Sequence, residues 1–206
     1  MELINNTTKT LKDDLSVEIK KGSKLSIAAA CFSIYAFQEL KKQLTSIEEL
    51  RFIFTSPTFV AEKTKKEKRE FYIPRLNRER SLYGTEFEIK LRNEMTQKAI
   101  AKECADWIKE KVTFKSNISD KTIQGQLVVD DTGYTPINNF TTVELGCEKG
   151  NVISTTIVKD QSLAQTLIRD FNEIWNDKKV LQEVTDEVIE SITAAYNENS
   201  PDFIYF

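Results

Sequence analysis

Apolar residues recur along this chain at two spacings, and the spacings predict alternating helices and strands. Leu11, Leu15 and Ile19 stand four apart and predict an amphipathic helix, opened at Thr7 or Thr8 and stopped by Gly22. The apolar run Leu25–Phe32 follows that glycine and predicts a strand buried on both faces. Ser33 then caps a helix expected to reach Leu44, with Tyr35, Phe37, Leu40 and Leu44 turned inward. Leu50–Thr55 predicts a second strand, ended by Ser56-Pro57. Helix, strand, helix, strand is the start of an α/β layer with parallel pairing.

A helical stripe returns from Phe87 to about Lys111, through Leu91, Met95, Ile100, Cys104, Trp107 and Ile108. Val112–Ser116, Thr122–Asp131 and Asn151–Lys159 predict further strands, with Asp131-Thr-Gly133 as a turn between neighbours. Gln161–Trp175 predicts an amphipathic helix capped by Asp160, and Val180 to about Tyr196 a last one. In the strand predicted at 122–131, Gln124 and Gln126 stand two apart and so share a face, with Gly125 between them keeping the backbone open. Two amides on one face, with Ile137–Thr142 returning polar groups to the rim, would make a hydrogen-bonding pocket for a phosphate or a base. A solvent-facing polar pair is the plainer reading of the same spacing.

Composition narrows the chemistry. The 206 residues hold no histidine, which excludes Ser-His-Asp and Cys-His catalysis, imidazole zinc sites and a phosphohistidine. Lys21-Gly-Ser-Lys24 lacks the spacing of a phosphate-binding P-loop. Cys31, Cys104 and Cys147 are too scattered for a disulfide framework and predict reduced thiols in a cytoplasmic protein. No apolar run is long enough to cross a membrane, and the first residues lack the features of an export signal. The apolar ending Ser200–Phe206 is the one expected of a piece cut from a longer chain.

Charge is unevenly spread. Residues 63–80 carry Lys63, Lys65, Lys66, Lys68, Arg69, Arg75, Arg78 and Arg80 against three Glu, +5 in a chain of net −3. Such a stretch is a solvated loop or a nucleic-acid contact, since clustered cations bind phosphates by releasing counterions and Phe71 and Tyr72 could stack on bases. Residues 170–206 carry nine acids against two lysines, a solvated face or a partner for the basic stretch. Glu88-Ile-Lys90 matches half of a metal-nuclease signature but falls on a predicted helix, where the two side chains diverge.

Leu25–Thr55, Lys115–Asp131, Asn138-Asn-Phe-Thr141 and Phe171–Asp177 together resemble the phospholipase D-like nuclease domain. Thr85–Glu94, Ala101–Ile108 and Pro201–Tyr205 resemble the version at the N-terminus of bacterial superfamily-two helicases of the Swi/Snf type. The resemblance implies an α/β fold, a phospholipase D-like mixed sheet sandwiched by helices. It has one catalytic-motif repeat per chain, so a homodimer completes the site. It also implies a domain over 1–159 with C-terminal helices over 160–206, packing on it and leading to a helicase motor elsewhere in the parent chain. The family motif is His-x-Lys, then an Asp, then a Gly-Ser…Asn loop. Gln124 takes the His position, Gln126 the Lys position, Asp131 the Asp and Asn139 the loop Asn, while Pro136-Ile137 replaces Gly-Ser. Nucleophile, general acid and cation are all gone, so no hydrolysis by that mechanism and no cofactor are expected.

Three functions follow as expectations. One is a non-catalytic accessory domain for dimerisation or DNA positioning, with the eight cations of 63–80 as footprint. Another is a magnesium-dependent nuclease using Glu86, Glu88, Asp130, Asp131 and Glu144. A third is a protein-interaction domain without nucleic acid.

Overall fold

The structure is a computed structural model in which residues 1–57, 96–147 and 156–197 are described. The basic stretch 63–80, Glu86, Glu88, Lys90, the 85–94 and 201–205 segments and the first residues of the strand expected at 151–159 lie outside them.

Side-chain alternation along the strands divides the core in two. Strands β1 (Glu2–Ile4), β2 (Lys24–Ala29), β3 (Glu49–Phe54), β4 (Val112–Asn117), β5 (Gln126–Val129), β6 (Thr132–Thr135), β7 (Ile157–Asp160) and β8 (Leu181–Glu183) form one sheet. Their order is β1-β7-β6-β5-β2-β3-β4-β8. The centre, β2-β3-β4, is parallel, and every other pairing is antiparallel. Leu25, Ile27, Phe52, Phe54, Phe114, Leu127 and Val129 point to one face, where they form the larger core. That core is packed under helices α1 (Leu11–Glu18), α2 (Ile34–Glu39), α3 (Lys41–Leu44), α4 (Thr96–Lys111) and α6 (Thr185–Asn197). Ala28 and Ile53 point the other way, into a smaller core completed by Phe171 of helix α5 (Gln161–Trp175) and by Ile123, Val180 and Leu181. The molecule is therefore an α/β protein with a mixed eight-stranded sheet flanked by helices. No described helix is long and apolar enough to cross a membrane.

Several boundaries differ from the sequence expectation. Thr10, not Thr7 or Thr8, caps α1, accepting the Asp13 N–H at 3.0 Å. The helix expected over 33–44 is divided at Leu40 into α2 and α3, and the Trp107 indole donates to the Leu44 carbonyl at its end. The turn expected at 131–133 sits at Asp130-Asp131, and Thr132–Thr135 is a strand instead. Asp130 holds φ 50°, a left-handed position that Asp tolerates, and its carboxylate accepts the Lys24 N–H at 2.8 Å. The helix expected from Val180 begins only at Thr185. Residues 181–183 are drawn off as β8, because β4 otherwise leaves its edge unpaired, and Asn117, Ser116 and Lys115 pair with Leu181, Gln182 and Glu183. The expected division at 159/160 also falls inside β7, and the segment beyond it supplies a strand of the sheet as well as helices.

Candidate functional site

Parallel strands bring their carboxyl ends to one rim, the usual place for a ligand in an open α/β sheet. Here the rim is built by the residues after β2, β3 and β4, joined by the loop after β6. Ala30 N–H donates to Asn138 O, Phe140 N–H to Cys31 O and Ser33 N–H to Phe140 O, so 138–140 runs beside 30–33 as an added ribbon. The Asn117 amide braces the next loop by donating to the carbonyls of Thr55 and Lys121 at 2.9 and 2.8 Å.

The two glutamines do not share a pocket. Residues 122–125 are not strand, so the period of two that paired Gln124 with Gln126 never applies to them. Gln124 is exposed at the rim. Gln126 is the first residue of β5, lies buried under α5 and donates its amide to the Leu167 carbonyl at 2.8 Å. Gly125 does not hold space open between them. A Cβ there would stand 1.7 Å from the Ile137 carbonyl oxygen, so the glycine is needed because two backbones cross. A cleft of about 250 Å³ does open nearby, between Ile123 and the end of α5, but neither glutamine lines it.

The remaining expected positions divide between opposite ends of the sheet. Asn139 lies at the carboxyl rim beside Asn138, half-buried. Asp131 is exposed in the hairpin at the far end of β5, where Val129 pairs with Leu25. It therefore cannot join Gln126 in one site without the length of the strand between them. The carboxylates considered for a metal are separated in the same way. Asp130 and Asp131 occupy that hairpin, Glu144 is buried behind the rim ribbon, and Glu86 and Glu88 lie outside the described residues. Among the described residues no group of three or more His, Cys, Asp or Glu could hold an ion.

Burial raises the Glu144 carboxyl above its ordinary value, and the N–H groups of Asn138 and Asn139 offset only part of that shift. Its carboxylate therefore serves the loop backbone and does not face solvent. The 63–80 stretch lies in sequence between β3, which ends at Phe54 on the carboxyl rim, and α4, which begins at Thr96.

Two polar clusters were not foreseen. On the larger-core face, buried Asp14 accepts from Lys9, from the Tyr134 hydroxyl at 2.7 Å and from Lys159, which also pairs with Glu18 at 2.9 Å. Burial would raise the Asp14 carboxyl, but the three donors outweigh it and hold it below its ordinary value. Burial pushes the Tyr134 phenol well up, and Asp14 adds to the effect, so that oxygen stays a neutral donor. On the opposite face, Arg51 donates to Asn172 Oδ1 at 2.8 Å and to Ser26 Oγ at 2.9 Å, with its guanidinium over Phe171 and Trp175. Lys115 lies over the same indole at 4.4 Å and donates to the Trp175 carbonyl. A sequence signal did exist for Arg51, a cation in the middle of an apolar strand.

No family model and no curated protein matches the chain. Among solved structures, it is similar to that of TrmBL2, described as an archaeal chromatin protein with a novel mode of DNA binding. The identity is 11% and the TM-score 0.40, over 89% of this chain and 52% of that one. This chain thus spans about half the length of the structure it matches, and the likeness is too distant to carry a function across.

Proposed function

We propose that this chain is a phospholipase D-like accessory domain, without hydrolytic chemistry of its own, that serves dimerisation and DNA positioning for a helicase motor in the same parent chain. One observation carries the reading: Gln126, which the resemblance puts at the family's ammonium position, spends its amide inside the fold on the Leu167 carbonyl, and Gln124, which it puts at the imidazole position, is an amide too. An amide is neither an acid, a base nor a nucleophile at neutral pH. What the family resemblance leaves is pairing and phosphate contact. The rim is compatible with that use, because the segment bearing Lys63, Lys65, Lys66, Lys68, Arg69, Arg75, Arg78 and Arg80 follows in sequence from the carboxyl end of β3. The net charge of −3 points to modest affinity.

The test combines sedimentation equilibrium with fluorescence anisotropy of a short duplex over a range of salt. A dimer is expected, with weak binding whose logarithm falls linearly with log salt. Replacing Lys63, Lys65, Lys66 and Lys68 by Gln should reduce that slope by about 3 to 4. A slope unaffected by the replacement overturns the DNA role. A dimer that binds no duplex even at low salt leaves a protein-interaction domain, and a monomer that binds none removes the proposal.

A further inference from the structure

The cations Arg51 and Lys115 lie half-buried on the α5 face of adjacent strands, and each is held by neutral acceptors. Lys159 on the other face is similarly withdrawn but meets two carboxylates. Among the described residues, no ion pair reaches Arg51 or Lys115. The indole face attracts both cations but carries no net charge to neutralise them. Burial lowers the Lys115 ammonium, and Lys178 and Arg51 lower it further, although Glu183 acts the other way. Glu49 and Glu183 are near enough to be felt, but neither contacts the pair.

Donors remain for an anion. Arg51 spends one N–H of each terminal nitrogen on Asn172 and Ser26 and keeps three others. Lys115 spends one on Trp175 and keeps two. Trp175, stacked on Phe171 at 5.5 Å, fixes the position of both. Helix α5 packs chiefly over β6, β5 and β2, leaving the pair at its edge.

We infer that Arg51 and Lys115 form a binding site for a phosphate oxyanion on the α5 face of the sheet, with Trp175 as its fixed wall. Charge-assisted bonds to two or more oxygens of one group match the spare donors. The flanking carboxylates disfavour a dianion, so the singly charged phosphodiester of a nucleic-acid backbone suits the site better than free phosphate. This site stands independently of the dimer and of the 63–80 stretch.

Calorimetric titration of the full chain at constant ionic strength, with inorganic phosphate in one arm and a short DNA duplex in the other, tests it. Wild type should bind in at least one arm, and the stronger arm identifies the source. Lys115→Gln should weaken that binding about tenfold or more, and Lys115→Arg should restore it. Because Lys115 also sits on the last carbonyl of α5, a second measurement uses unmodified protein. The bound ligand should slow acetylation of Lys115 without slowing that of Lys42. Binding in neither arm, equal binding by Lys115→Gln, or unprotected Lys115 would each reduce the pair to a clamp on α5 and overturn the inference.

Discussion

Asp14 and Glu144 are both buried carboxylates, yet their surroundings push them in opposite directions. Asp14 has three donors, two of them cationic, and its folded carboxyl lies below the ordinary 3.8. Its stabilising contribution is complete above that value and disappears as pH falls through the lowered one. Glu144 has only backbone N–H groups, and its folded carboxyl lies above the ordinary 4.5. The sign is reversed: the fold favours the protonated form, so stability is lost as pH rises from 4.5 through the raised value. Asp14→Asn should therefore lower Tm at pH 7, with the difference from wild type shrinking below pH 4. Glu144→Gln should raise Tm at pH 7 and leave it little changed at pH 4. Thermal melts across that range check both signs. The Asp14 environment was not legible in sequence, because Asp14 meets Tyr134 and Lys159 from 120 and 145 positions away.

At the scale of elements, the strongly periodic pieces were legible. Helices α1 and α5 and strands β2, β3 and β4 lie close to their expected places, since each buries a continuous apolar face. The pieces that escaped are short and defined by their neighbours. β1 has three residues, β6 reads Thr-Gly-Tyr-Thr, and β8 forms where β4 needs a partner. Those omissions moved the candidate site as well: a strand carried back to Thr122 put Gln124 on the wrong element. The docking of α5 depends on a gap in β6. A Cβ on Gly133 would stand 2.8 Å from Leu167 Cδ1 and 3.2 Å from the Ala164 backbone. Gly133→Ala should cost about 1–3 kcal/mol in urea unfolding, because a helix can shift by tenths of an ångström. Gly125→Ala should cost more, since the obstructing atom is a backbone carbonyl that no rotamer change removes.

For the whole molecule, the α/β class was readable from the alternation of periods, whereas the division at residue 159 was not. It set the C-terminal helices apart from the rest, whereas β8, which lies beyond it, pairs with β4. Without residues 160–206, β4 loses its edge partner, α4 loses α6, and Ala28, Ile53 and Gln126 lose the helix that covers them. A chain ending at Lys159 should therefore give no cooperative unfolding transition by circular dichroism, while the full chain gives one.

The pairing of Glu2–Ile4 with Ile157–Lys159 has a further consequence, in time and not in energy. During synthesis the strand Glu2–Ile4 leaves the ribosome before its described neighbour in the sheet, which emerges after some 150 more residues have been added. Until then Ile4, buried in the finished fold, lacks that neighbour, and closing so long a loop delays the gain that would reward it. The nascent chain must wait for its own latter part, and chaperones that shield short apolar edges have that whole interval in which to act.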